Sequence, residues 1–130
     1  MLIDDNPDDN FYHERIIRKN NSAAHVVSVE SGPGAIEFLA NKRDHEDMHP
    51  DLIFLDINMP GMNGWEFIEE YKKLSEELQG KMLVVMLTTS DNPDDEARAK
   101  SMGELAGFKT KPLTKEMLEE ITKKYYSTFP

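Results

Sequence analysis

Three carboxylates, a hydroxyl and an ammonium stand at the ends of separate apolar stretches in this chain of 130 residues. Asp4 and Asp5 follow Met1-Leu2-Ile3, Asp56 follows Leu52 to Leu55, Thr88 follows Met82 to Leu87, and Lys111 comes shortly after Ala106 to Lys109. Clustered carboxylates repel one another. A hard divalent cation such as magnesium, which prefers oxygen ligands and keeps some of its water, relieves that repulsion and leaves positions for phosphoryl oxygens. Phosphoryl transfer asks little covalent work of a protein beyond a positioned nucleophile and positive charge nearby. Asp56 would be that nucleophile, and Lys111 with the cation would supply the charge.

The elements that must position these groups are set by the stretch DLIFLDINMPGMNG, residues 51–64. Its unbroken apolar run reads as a buried strand, and the turn formers Asn58, Pro60, Gly61, Asn63 and Gly64 follow Asp56 at once. Upstream, Met1 to Ile3 make half a strand, and Asn6 caps a helix whose apolar stripe is Phe11, Tyr12, Ile16 and Ile17. Val26, Val27 and Val29 make a second strand, and Ala35 to Ala40 a short helix. Asn41 to Pro50 is a polar loop. Downstream, Trp65 to Leu78 is a helix, Met82 to Leu87 a strand, and an acid-rich helix with a thin apolar face begins at Asp91 or Asn92 and Pro93. Ala106 to Lys109 is a short strand, and Thr114, Met117, Leu118, Ile121 and Tyr125 mark the last helix. Five alternations of strand and helix predict a doubly wound parallel sheet, covered on both faces. Every candidate then falls at a strand's carboxyl end, where such sheets place their ligand crevice.

Composition narrows the partners. A net charge of -10 argues against nucleic acid, whose phosphates are bound with an excess of Lys and Arg. Without cysteine there is no disulfide framework and no thiolate metal site. No apolar run is long enough for a membrane span and no leader is evident, so the chain reads as a soluble, cytoplasmic single domain over residues 1–130.

Taken together, these residues resemble the receiver domains of two-component response regulators, over nearly the whole chain. The dispersed signature is Asp4-Asp5, then Leu55-Asp56 with Met59-Pro60-Gly61-Met62-Asn63-Gly64, then Thr88, then Lys111-Pro112. The resemblance implies a flavodoxin-like three-layer sandwich with strand order 2-1-3-4-5. It implies that Asp56 is phosphorylated, and that Asp5, Asp56 and the Asn58 backbone carbonyl hold magnesium or manganese with support from Asp4. Thr88 and Lys111 would grip the phosphoryl oxygens, Phe108 would report the switch, and Lys111-Pro112 would be cis. Asn58 and Ser90 would tune how long the phosphate lasts. The implied partners are a sensor histidine kinase or histidine phosphotransfer protein and an unspecified downstream protein, with a homodimer possible and no separate enzymatic activity or output domain. Only three residues precede the acidic pair, fewer than the first strand of this family usually has. The short strand is expected to leave the Asp4-Asp5 loop less fixed.

Two other classes share part of the pattern. A haloacid dehalogenase-type phosphatase also uses an aspartate nucleophile with magnesium, but wants a second aspartate where Asn58 stands. A flavodoxin-like flavin carrier needs a phosphate-binding loop after the first strand, where Asp4-Asp5 would repel the phosphate. Among smaller motifs, His45-Glu46-Asp47-Met48-His49 matches a zinc-protease helix, yet Pro50 disfavours helix at His49. Asn20-Asn21-Ser22 matches a glycosylation acceptor but reads as a helix terminus. His13 and His25 read as surface residues.

Overall fold

Strands and helices alternate through the chain as β1 (Leu2–Ile3), α1 (Pro7–Lys19), β2 (Ser28–Val29), α2 (Gly32–Ala40), β3 (Leu52–Leu55), α3 (Gly64–Lys72), β4 (Leu83–Thr88), α4 (Pro93–Ser101), β5 (Leu105–Thr110) and α5 (Lys115–Thr128). This computed structural model describes residues 1–20, 23, 25–41, 50–74, 82–103 and 105–128. The strands form one parallel sheet in the order β2-β1-β3-β4-β5, as expected.

Strand alternation divides the core into two layers. Ile3, Ile53, Leu55, Val84 and Met86 face α2, α3 and α4, where Leu39, Phe67, Ile68 and Ala99 meet them. Leu2, Phe54, Val85 and Leu87 face α1 and α5, against Ile17, Leu118 and Ile121. Each such aliphatic side chain, once fully buried, contributes about 1.5–3 kcal/mol. The register pairs Ile3 with Leu55, Leu55 with Met86 and Thr88 with Thr110, so four strands end at nearly the same level. That level edge is what gathers the polar groups.

Helix starts follow the capping chemistry. The Asn6 side chain accepts from the amides of Asp8 and Asp9, with Pro7 in the first turn. Asn63 and Glu66 form a reciprocal capping box at α3, at 2.9 and 3.1 Å. Asn92 caps α4 and Thr114 Oγ1 accepts from the Met117 amide. Asn20 terminates α1, as its sequence suggests.

Four expectations need correction. The buried face of α1 is Asn10, His13 and Ile17, whereas Phe11 and Tyr12 are 69% and 46% exposed. His13 is therefore not a surface residue; it is 3% exposed. The first turns of α1 lie against the polar edge of the sheet, where the Asp4 carbonyl requires a donor, and the Asn10 side-chain Nδ2 supplies it at 2.9 Å. β2 is shorter than the run Val26 to Val29, and α3 ends at Lys72 with Lys73 as its cap. Residues 42–49, with the His45 to His49 motif, and Leu78 lie outside the described residues.

α4 buries only Ala99. It is also held by Arg98, whose guanidinium carbon lies 4.5 Å from the ring centroid of Trp65 at the start of α3. Trp65 is the single tryptophan and is 6% exposed. Arg98→Ala is expected to shift Trp65 emission to the red and to lower stability by about 0.5–1 kcal/mol. An emission maximum identical to wild type would show that α4 screens the ring without Arg98.

Candidate functional site

Asp4 leaves β1 with its amide bonded to the Val29 carbonyl at 3.1 Å, and Asp56 leaves β3 with its amide bonded to Ile3 at 3.0 Å. Their side chains are buried, Asp5 is exposed, and one carboxylate oxygen from each of the three lies within 4.8 Å of the others. Lys111 comes from the far side of the sheet. Its amide bonds the Thr88 carbonyl at 2.8 Å, the following peptide to Pro112 is cis, and its ammonium reaches Asp4 Oδ2 at 2.5 Å. The same ammonium is 2.9 Å from Asp9 Oδ2 and 3.7 Å from Asp56 Oδ2.

These placements set the protonation of the site. Burial pushes the Asp56 carboxyl up, Asp4 adds to that, and Lys111, the Thr88 hydroxyl and the Ile57 amide oppose it. Burial works against the Lys111 charge, but Asp4, Asp9 and Asp56 outweigh it and hold the ammonium above its usual range. His13 is lowered by burial and then by Lys111, against the opposing pull of Asp9 and Asp4, which favours the uncharged ring. Asp56 Oδ1 is buried without a hydrogen-bond partner. Three carboxylates, one of them with an unused buried oxygen, form the all-oxygen donor set that a hard divalent cation selects.

The loop after Asp56 is folded tightly under it. The amides of Met59 and Gly64 both donate to the Ile57 carbonyl, at 3.2 and 2.8 Å, and Gly61 takes φ +78°. A Cβ on Gly64 would lie 2.5 Å from the Asp56 carbonyl oxygen, so only glycine fits. Asn58 is exposed on this loop. On the other side, Thr88 is fully buried and its hydroxyl oxygen accepts from the Ser90 amide at 3.2 Å. The Ser90 hydroxyl donates to Asp95 Oδ2 at 2.6 Å, tying the loop to α4. Phe108 is half-buried on β5, opposite Met86, and packs on the α2-α3-α4 side of the core.

A sequence pattern described as the response regulator receiver domain matches residues 1–123. The chain belongs to the response regulator receiver family. Among solved structures this receiver is similar to a two-component response regulator from Cytophaga hutchinsonii, with 34% identity and TM-score 0.85 over 97% of this chain and 94% of that one. A receiver protein from Dyadobacter fermentans matches at 27% identity and TM-score 0.85, over 96% and 94%. Response regulator Rcp1 of Synechocystis is 30% identical over 73% of this chain and 64% of its own length. Two-component response regulator ORR1 of Oryza sativa subsp. indica is 27% identical over 95% of this chain. The receiver spans about half the length of that rice protein, 53%. No helix among the described residues is long and apolar enough to cross a membrane.

The structure thus brings Asp4, Asp5, Asp56 and Lys111 together, with Thr88 beside them. Sequence reasoning missed Asp9, Asn10 and His13. Asp9 pairs with Lys111, while Asn10 and His13 line a chamber of about 10 Å³ beneath Asp4 and Asp56. The spacing of 10, 13 and 17 is a helical face, and reading it without requiring apolar residues would have found it.

Proposed function

We propose that Asp56 accepts a phosphoryl group from a phosphohistidine donor and that the receiver then switches a protein-binding surface. The observation that carries this reading is the convergence of three carboxylates within 4.8 Å and an ammonium 3.7 Å from Asp56. An Asp56 oxygen would attack phosphorus as the phosphorus–nitrogen bond of the donor breaks, the nitrogen leaving with the bonding pair. The product is an acyl phosphate. Asp5 and Asp56, with the Asn58 carbonyl and with Asp4 in support, would hold magnesium or manganese, which when bound neutralises these carboxylates and the incoming phosphate charge. Lys111 would hold one phosphoryl oxygen and the Thr88 hydroxyl another.

The Thr88 hydroxyl accepts from the Ser90 amide and keeps its own proton to donate, so drawing Thr88 toward the phosphate would pull on Ser90, which carries the tie to Asp95 on α4. That linkage would carry the event to α4 and, through β5, to Phe108. Asn58 and Ser90 flank the acceptor and would set how long the phosphate lasts. The donor would be a sensor histidine kinase or a histidine phosphotransfer protein in the cytoplasm. The chain would catalyse its own phosphorylation and dephosphorylation rather than turn over a separate substrate.

The test is intact mass after incubation with acetyl phosphate, with and without magnesium. The expected result is one added phosphoryl group that requires magnesium and maps to Asp56. A folded protein that gains no mass at saturating magnesium would overturn the reading.

A further inference from the structure

We infer that Asp9 is a positioning residue that competes with the phosphoryl group for Lys111 and thereby trades phosphate affinity for cation affinity. The inference rests on the reading of Asp56 as acceptor. The Lys111 ammonium has three donors. One is given to Asp4 at 2.5 Å and one to Asp9 at 2.9 Å, while Asp56, at 3.7 Å, is beyond hydrogen-bond range. The third donor is left for a phosphoryl oxygen on Asp56, but Asp4 and Asp9 together hold the ammonium 3.7 Å from that carboxylate, so drawing it onto a phosphoryl group would stretch its bond to one of them.

Burial decides which one. The Asp4 side chain is 6% exposed and its other oxygen accepts the Asn6 amide at 3.0 Å, so withdrawing Lys111 from it would leave a charge buried and poorly paired. The Asp9 side chain is 38% exposed and water can replace the ammonium there. Asp9 is the partner that can be released. Its carboxylate does not serve the helix cap, because the cap oxygen belongs to Asn6.

The charge of Asp9 also acts on both ligands of the site. It sits one ammonium away from Asp56, close enough to attract a divalent cation and to oppose an incoming phosphate. Removing that charge should therefore weaken one ligand and strengthen the other. A residue that merely supported the helix would, on removal, weaken both or neither.

The experiment is Asp9→Asn, with Asp8→Asn, an exposed acid of the same turn, as control. Magnesium is titrated calorimetrically into unphosphorylated protein, and uptake from acetyl phosphate is followed by intact mass at saturating magnesium. Asp9→Asn is expected to bind magnesium about three- to tenfold more weakly and to be phosphorylated about three- to tenfold faster, allowing for solvent screening. Asp8→Asn should stay within about twofold of wild type on both, as screening predicts for an exposed charge. Shifts of both quantities in the same direction, or in neither, would overturn the inference while leaving Asp56 as acceptor intact. A wild-type protein that takes no phosphoryl group would overturn the acceptor reading and this inference with it.

Discussion

Asp56→Asn is expected to abolish phosphoryl incorporation and, in metal-free protein at neutral pH, to make the fold more stable than wild type. The first effect follows from the lost nucleophile. The second follows from the raised pKa of the buried carboxyl, which burial makes a weaker acid. Between the ordinary carboxylate value of 3.8 and the raised folded value, the native state binds more protons at Asp56 than the unfolded state does. Stability contributed by this group is therefore lost as pH rises through that interval, and the ionised carboxylate remains a penalty above it. Asparagine removes the penalty, so the variant's stability should fall less between pH 4 and pH 7. Saturating magnesium should favour the wild type again, because binding to the native state alone adds stability. Urea unfolding in chelator at both pH values, and with magnesium at pH 7, measures all three terms. A metal-free variant less stable than wild type at pH 7 would show that Lys111 outweighs burial at Asp56.

Gly64→Ala is expected to be the most damaging single-methyl substitution near the site. The new Cβ would stand 2.5 Å from the Asp56 carbonyl oxygen and 2.9 Å from the Ile57 Cα, and both obstacles are backbone. No side-chain rotation relieves them. Either α3 withdraws, breaking the 2.8 Å bond from the Gly64 amide to Ile57, or the Asp56 backbone moves. Overpacking of this kind costs about 2–3 kcal/mol, which for a domain of this size lowers the thermal midpoint by about 10 °C. Phosphoryl uptake should slow as well, because the displaced group is the acceptor's own peptide. A variant that melts within about 2 °C of wild type, well inside the shift expected for one kcal/mol, would mean that the turn after Asp56 yields easily.

The sheet was legible because its buried strands are continuous apolar runs. Leu52 to Leu55 and Leu83 to Leu87 could hardly be anything else, and the turn formers behind them placed Asp56 and Thr88 at one edge. Lys111 was legible through its proline and through the resemblance. α1 was misread for a physical reason. Its inward face at residues 10 and 13 looks onto polar backbone and carboxylates rather than onto the core, so hydrophobicity pointed to Phe11 and Tyr12, which are exposed. Ile17, a turn deeper, is buried among apolar neighbours, with Ile16 packed beside it, and there the usual pattern holds. Asp9 was hidden differently. An acid in the first turn of a helix is explained by the helix dipole alone, and nothing local reveals a lysine 102 residues away.

The two-residue strand β1 lies between β2 and β3 and is the only strand joining them. The sheet therefore has a seam: on one side β2, and on the other the longer strands β3, β4 and β5. Leu2 and Ile3 each pair with both neighbours, so the seam is closed by very few backbone bonds. Opening along it would carry Asp4 and Asp5 away from Asp56 while β3, β4 and β5 stayed zipped. Lys111, which spans the seam from β5 to Asp4, acts as a rivet across it. Amides at 2–4 and 28–29 should then exchange with solvent as a single unit ahead of those in β4, and a cation bound between the two leaves would slow that unit selectively.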